Sequence, residues 1–452
     1  MAPTSLQLLQ ETLRVAQRAA DPAAAIERHW PKALPGNMSL LAIGKASTTM
    51  LAAALERMQK YGQRVPAPEH VFVTAPPELA AKCAAQPWGK RVFACDHPLP
   101  TQRNMDAARE CLEWIATRPK DHVLVVLLSG GGSAHLCLPS DGLTLDDVVR
   151  VTRELQRSGA DINDLNCVRK HIEQLKGGRL AQACSAKQVF VLVLSDVLGD
   201  PLDVISSGPF TPDPTTFADA ALVMTRLTRV DAASQGAIER VSTHLAKQQK
   251  SAETPKTQQE LPCPVSHRVI ANNQSVVEAV SDHLQSLGID VFATTSGATG
   301  DAANGARELA ERMAPEAAKR GYGNSDPFAW VIGGEWTVLA SGSTGVGGPS
   351  QEFALAFALA AAKHAAAGER WSLLAYSTDG VDGPPPSDAA GAIVDNHTVD
   401  ALKKVGIDAQ AALKNHDAHS ALSKADSLIR TGPTGTNVNH VVVAVWSQED
   451  SQ

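Results

Sequence analysis

The stretch VLVVLLSGGGSAHLCLP, Val123 to Pro139, decides how the rest of the chain is read. Val123 to Leu128 are all apolar and partly β-branched, the pattern of a strand buried on both faces of a parallel sheet. The run ends abruptly in Ser129-Gly130-Gly131-Gly132-Ser133. Such a turn at a strand's carboxyl end can aim several backbone N–H groups at one point and hold a phosphate or carboxylate. A tight turn that uses glycine for sterics alone is the competing reading, since neither GxxxxGK(S/T) nor GxGxxG is present.

Other short apolar runs end the same way. Ser39 to Ile43 breaks at Gly44-Lys45, ahead of a helix over 48–60. That places Lys45 where open α/β sheets bind ligands. Val92 to Cys95 runs into Asp96-His97-Pro98, so His97 is either a substrate contact or a turn histidine bonded to backbone. Val189 to Leu194 ends in Ser195-Asp196. A carboxylate there is costly unless it meets a metal, a cation or helix N–H groups. Asp196 is therefore a candidate base or Mg²⁺ ligand, with an N-cap as the alternative. Between these runs, the stretch 161–181 is dense in Asn163, Asn166, Arg169, Lys170 and Lys176. It can hold an anion or simply form a solvated face. Thr294 to Gly300 reads as a small-residue loop, and a helix is expected over 353–367. The loop from Gly342 to Glu352 before that helix is a second possible phosphate site. Asp379 and Asp382, in a glycine turn after a strand, suit a hard cation or an Asx-turn pair.

Composition narrows the class. At 452 residues the chain is too long for one core. Its net charge of −7 argues against nonspecific nucleic-acid binding. The 7 cysteines form no C-x-x-C, so neither a zinc ribbon nor a disulfide framework is expected, and a reducing cytosol is the simplest setting. No apolar run approaches ~18 residues, and the N-terminus reads as an amphipathic helix, not a signal peptide. Glycine turns with lysines and carboxylates along one sheet edge suggest phosphoryl transfer, which needs mostly positioning and charge neutralisation.

The motifs AIGKAS, LLSGGGSAHLCLP, INDLNCVRKHIEQLKGGRLA, LVLSDVLGDPLDVISSGPFTPDPTTF, GGEWTV, STDGVDGP and TGPTGTNVNH resemble the glycerate 2-kinase family with a C-terminal MOFRL domain. Related members carry hydroxypyruvate reductase labels. The resemblance runs over about residues 5–447. It implies a Rossmann-like parallel-sheet domain over 5–246, a flexible linker over 247–265, a connecting βαβ region over 266–327 and a smaller α/β MOFRL domain over 328–447. It also implies ATP- and Mg²⁺-dependent phosphorylation of D-glycerate to 2-phosphoglycerate by a cytoplasmic monomer or homodimer.

Carried over by motif, Lys45 and Asp196 are catalytic. Ser129, Gly130, Gly131, Gly132, Ser133, Glu335, Gly347 and Gly348 are the expected nucleotide contacts. Arg169, Lys176 and His97 are candidate substrate contacts, and Asp379 and Asp382 are candidates for a place near Mg²⁺. One position departs. Where the family pattern carries an arginine taken as catalytic, this chain has Pro349, which offers neither guanidinium nor backbone N–H. Arg169 or Lys176 could substitute, or the substrate could be another 2-hydroxy acid. His440 likewise stands where an aspartate is common. A binding protein that kept the cleft and lost the chemistry is the contrasting reading. An oxidoreductase is weaker, because no GxGxxG follows a strand.

Overall fold

A computed structural model describes residues 5–448 apart from 33, 35, 229, 248–251, 321–326, 340–341 and 367. The chain divides into two compact units, Pro22–Ile270 and the remainder, Met1–Asp21 with Ala271–Gln452. This partition differs from the expected boundaries at both ends of the first domain.

The Pro22–Ile270 unit is built on β1 (Met38–Ile43), β2 (Val71–Ala75), β3 (Val92–Ala94), β4 (Val123–Leu128), β5 (Gln188–Leu194) and β6 (Val265–Ala271). Their order across the sheet is β3-β2-β1-β4-β5-β6, and β1 to β5 pair in parallel. All residues of β1, β2 and β4 are buried, as expected for strands covered by helices on both faces. Burying each Leu or Val contributes about 1.5–3 kcal/mol, which fixes the register. Ile43 faces Leu128, and Leu128 faces Val193. That order reverses between β1 and β4, which is where a doubly wound sheet opens a crevice beyond its strand ends.

The second unit has its own sheet, ordered β11-β10-β9-β12-β8-β7. Its strands are β7 (Asp290–Asp301), β8 (Phe328–Thr337), β9 (Glu369–Ser377), β10 (Gly391–Asp395), β11 (Leu428–Ile429) and β12 (His440–Gln448). β7 and β8 pair in parallel; β8–β12, β12–β9, β9–β10 and β10–β11 are antiparallel. Residues 294–300, expected as a loop, belong to β7. Their small side chains and two register shifts let an irregular strand follow β8, and Gly334 lies so close to the Ala298 backbone that a Cβ would not fit. The alanine-rich helix starts at Pro349 and runs to His364, earlier than expected, because proline is well suited to a helix's first turn. It is buried along most of its length, in keeping with its all-round apolar sequence.

Of the expected linker, 247–265, residues 248–251 lie outside the described residues. Thr254 is buried, with its Oγ1 donating to Asp213 Oδ2 at 3.0 Å, and Glu253 accepts from Phe217 N at 3.0 Å. Polar bonds thus hold part of this stretch, whose low apolar content reads as a linker in sequence. No helix among the described residues is long and apolar enough to cross a membrane.

Candidate active site

The site is assembled where β1, β4 and β5 end. Gly44 adopts φ +105°, and a Cβ there would meet Ser129 O at 2.5 Å, so only glycine lets the two turns touch. Lys45 N then donates to Gly130 O at 2.9 Å, and Ala46 N to Ser129 Oγ at 3.1 Å. These bonds lock the lysine turn onto the glycine turn. A Cβ on Gly131 would lie 3.1 Å from both Lys45 Cγ and His97 Cδ2, while one on Gly130 would lie 2.6 Å from Asp196 Cγ. Lys45, His97 and Asp196 thus converge on two adjacent glycines.

A cavity of about 390 Å³ opens beside them, lined among others by His97, Gly131, Ser133, Asn166, Arg169 and Asp196. The Arg169 side chain makes no hydrogen bond or ion pair among the described residues, and its Nε is buried without a partner. A guanidinium left unsatisfied on a cavity wall is suited to a bidentate anion. Burial, seconded by the positive charges of Lys45 and Arg169, holds the His97 imidazole down to about 4. It is therefore neutral at physiological pH and able to donate or accept.

Lys176, expected to touch substrate, does not reach the cavity. It is buried, and its Nζ donates to Glu173 Oε2 at 2.6 Å, Ser133 O at 2.8 Å and Leu136 O at 3.2 Å. Those contacts use all of its donors to hold the glycine turn from behind. Lys170 is buried too, bonded to Asp203 at 3.0 Å and Asp213 at 3.2 Å. The bond to Asp203 ties the helix carrying Arg169 to the loop that follows Asp196.

Sequence reasoning passed over Ser206 and Ser207. Both adopt left-handed φ, 52° and 60°. Ser206 Oγ donates to Ser129 O at 3.1 Å, and Ser207 Oγ lies 2.8 Å from Ser133 Oγ and donates to Asn166 Oδ1 at 2.7 Å. Strained backbone held by such bonds is common at binding sites. The only signal in the sequence was the run Ser-Ser-Gly-Pro.

The remaining expected residues, Glu335, Gly347, Gly348, Asp379 and Asp382, lie in the other unit. Asp382 is buried; its Oδ1 accepts from Ser350 N and its Oδ2 from Gln351 N, both at 2.9 Å, with Gln351 Nε2 adding another 2.9 Å bond. It anchors the start of the Pro349–His364 helix, where carboxylates are favoured. Asp379 Oδ1 accepts from Val381 N at 3.0 Å, an Asx turn, and from Ser377 Oγ at 2.7 Å. A Cβ on Gly348 would meet the backbone of Asp382 and Gly383, so Gly348 serves close packing. These carboxylates do not form a metal cage: N–H donors engage both Asp382 oxygens, Asp379 Oδ1 accepts from Val381 N and Ser377 Oγ, and no group of three or more His, Cys, Asp or Glu that could hold a metal gathers among the described residues. The glycine turn with Lys45 and unpaired Arg169 does fit a polyphosphate or carboxylate. His440 Nδ1 accepts from Trp336 N at 3.1 Å; burial lowers its pKa, against the pull of Asp382, Asp379 and Glu335.

Residues 8–243 match the domain of unknown function DUF4147, and residues 328–440 match the MOFRL family. A glycerate 2-kinase of Pyrococcus horikoshii is 36% identical over 78% of this chain and 78% of its own length. A D-glycerate 2-kinase of Thermotoga maritima is 34% identical over 98% of this chain and 99% of its own. The crystal structure of glycerate kinase from Thermotoga maritima superposes with TM-score 0.82 at 33% identity, covering 98% of this chain and 99% of that one. The chain belongs to the glycerate 2-kinase family, with a DUF4147 region followed by a MOFRL domain.

Proposed function

We propose that this protein transfers the γ-phosphoryl group of ATP to the 2-hydroxyl of D-glycerate or a close 2-hydroxy acid, giving 2-phosphoglycerate in the glycerate case. The observation that carries this reading is the unpaired Arg169 guanidinium sharing a cavity with Asp196 beside a glycine turn. A carboxylate on Arg169 would present the neighbouring hydroxyl to Asp196. Asp196 takes the hydroxyl proton as the oxygen–phosphorus bond forms and the bond to the leaving ADP oxygen breaks. Lys45 and the Gly130–Ser133 amides neutralise charge on the phosphates without moving. Mg²⁺, when bound, would shield phosphate charge.

The test is ATP-dependent formation of 2-phosphoglycerate, read by phosphorus NMR so that the 2- and 3-isomers are distinguished. Lys45→Ala should abolish it while the protein stays folded; undiminished turnover in that variant would defeat the mechanism. Pro349 favours a second reading. It sits in the first turn of its helix, a favourable place for proline, and supplies no cation. On that reading the protein binds ATP and glycerate without turnover, which calorimetry beside the kinase assay would detect.

A further inference from the structure

Of the six non-glycine residues with left-handed φ among the described residues, three, Asp200, Ser206 and Ser207, lie in the loop that follows Asp196. Backbone of this kind persists only where its surroundings over-determine it. On one side, Ser206 and Ser207 bond to the glycine turn, and a Cβ on Gly132 would run into Ser206 Oγ. On the other, Gly177 N donates to Ser207 O at 2.9 Å and Gly178 N to Gly208 O at 2.7 Å. The loop closes tightly on itself, since a Cβ on Gly208 would meet Asp203 Cα at 2.9 Å.

The helix Ile162–Ile172 grips this turn at both ends. Asn166 accepts from Ser207 Oγ, and Lys170, one helical turn further on, donates to Asp203 Oδ2. Residues four apart share a helix face, so both grips come from one side. Lys170 does not need Asp203 for its charge. Its second partner, Asp213, is fully buried and fixed by Thr215 N at 3.0 Å and Thr215 Oγ1 at 2.8 Å. Burial pushes the Asp213 carboxyl up, but Lys170 and the Thr215 bonds outweigh it and hold the group below its ordinary range. Asp213 therefore stays ionised and neutralises the buried ammonium by itself. The Asp203 side chain is 30% exposed, and a partly solvated pair of this kind adds little to stability. What it adds is place: it pins the start of the strained turn to the helix.

We propose that Asp203, through Lys170, is a positioning residue for the phosphoryl transfer. The pair keeps the Ser206–Ser207 turn pressed against the glycine turn, so that the Gly130–Ser133 amides converge on the phosphates. The assignment rests on the phosphoryl-transfer reading above and adds a group that touches neither substrate. Asp213 keeps the helix, and with it Arg169, in place when Asp203 is lost.

The test compares Asp203→Ala, Asp203→Asn, Ser207→Ala and the double variant Asp203→Ala/Ser207→Ala in the full chain. Steady-state kinetics with ATP and glycerate is run beside calorimetry with inorganic tripolyphosphate and thermal melting. Asp203→Ala should lower kcat by about tenfold to a hundredfold and weaken tripolyphosphate by about tenfold, as expected for a turn displaced by a fraction of an ångström to about 1 Å. The KM for glycerate should stay within about twofold and the melting temperature within about 3 °C of the parent. Asp203→Asn keeps an oxygen for Lys170 Nζ and should recover most of the loss. The double variant should lose no more kcat than the worse single one, to within about twofold, because both changes release the same turn. The proposal is overturned if kcat and tripolyphosphate affinity are unchanged in Asp203→Ala, if the loss falls on the KM for glycerate, if melting drops by far more than stated, if asparagine does no better than alanine, if the losses multiply in the double variant, or if the parent binds no tripolyphosphate. If the parent binds tripolyphosphate but forms no phosphoglycerate, the proposed reaction fails, and the affinity ratios alone uphold or overturn the role of Asp203.

Discussion

Gly130→Ala tests whether the glycine turn exists to admit the Asp196 carboxylate. The φ of Gly130 lies outside the left-handed region, so alanine faces no backbone obstacle there. The obstacle is the side chain of Asp196: a Cβ would sit 2.6 Å from its Cγ and 3.0 Å from its Oδ1, about 0.8 Å short of ordinary contact at the Cγ. The carboxylate must therefore swing away from the turn. Overpacking of this kind costs about 1–3 kcal/mol of stability. A catalytic group misplaced by about 1 Å can lose about a hundredfold in rate. The assay is a double-mutant cycle by urea denaturation. In an Asp196→Ala background the clash is gone, so Gly130→Ala should cost about 1–3 kcal/mol less than in the parent. Gly36→Ala is the control, since nothing lies within 4 Å of a Cβ there. Additivity of the two site changes to within about 0.5 kcal/mol would refute the reasoning, because the alanine would then not be meeting Asp196. Full kinase activity in Gly130→Ala would refute its catalytic half.

Further outcomes follow from the same geometry. Arg169→Met should raise the KM for glycerate by about tenfold to a hundredfold with unchanged melting, since the guanidinium has no partner among the described residues to lose. Lys176→Met should lower stability by about 3–5 kcal/mol in denaturant titration, because it leaves the Glu173 carboxylate buried without its cation. Asp382→Ala should cost about 1–2 kcal/mol as a lost helix anchor, and any released Mg²⁺ would contradict the assignment. His135 and His267 are held down to about 4 by burial, from an ordinary 6.5. Between those values the unfolded chain binds protons that the folded chain refuses, so their contribution is complete above pH 6.5 and is lost as pH falls toward 4. Denaturation midpoints measured from pH 7.5 to 4.5 should fall across that window; a flat profile would contradict the burial of these rings.

The parallel sheet was legible in the chain because strands buried on both faces cannot hide their composition. Val123 to Leu128 and Val189 to Leu194 are apolar without interruption, and each is followed by one serine and then its glycine or aspartate. Strand ends in such a sheet share one edge, so Lys45, Gly130 and Asp196 were placed together by their positions after strands alone. β7 was not legible past Ala293, because its partner in β8 supplies the backbone bonds that its small residues do not advertise.

Charge was where sequence misled. Lys176 and Arg169 share one basic stretch, and only packing sends the first behind the glycine turn and leaves the second unpaired on the cavity wall. Asp382 has the look of a cation ligand, yet the start of a helix claims both its oxygens. Apolar periodicity fixes elements through local burial, which the chain encodes residue by residue. What a charged side chain does depends on the partner it meets, and here those partners come from residues as far apart as Ser350 and Asp382, which only the folded chain brings into reach.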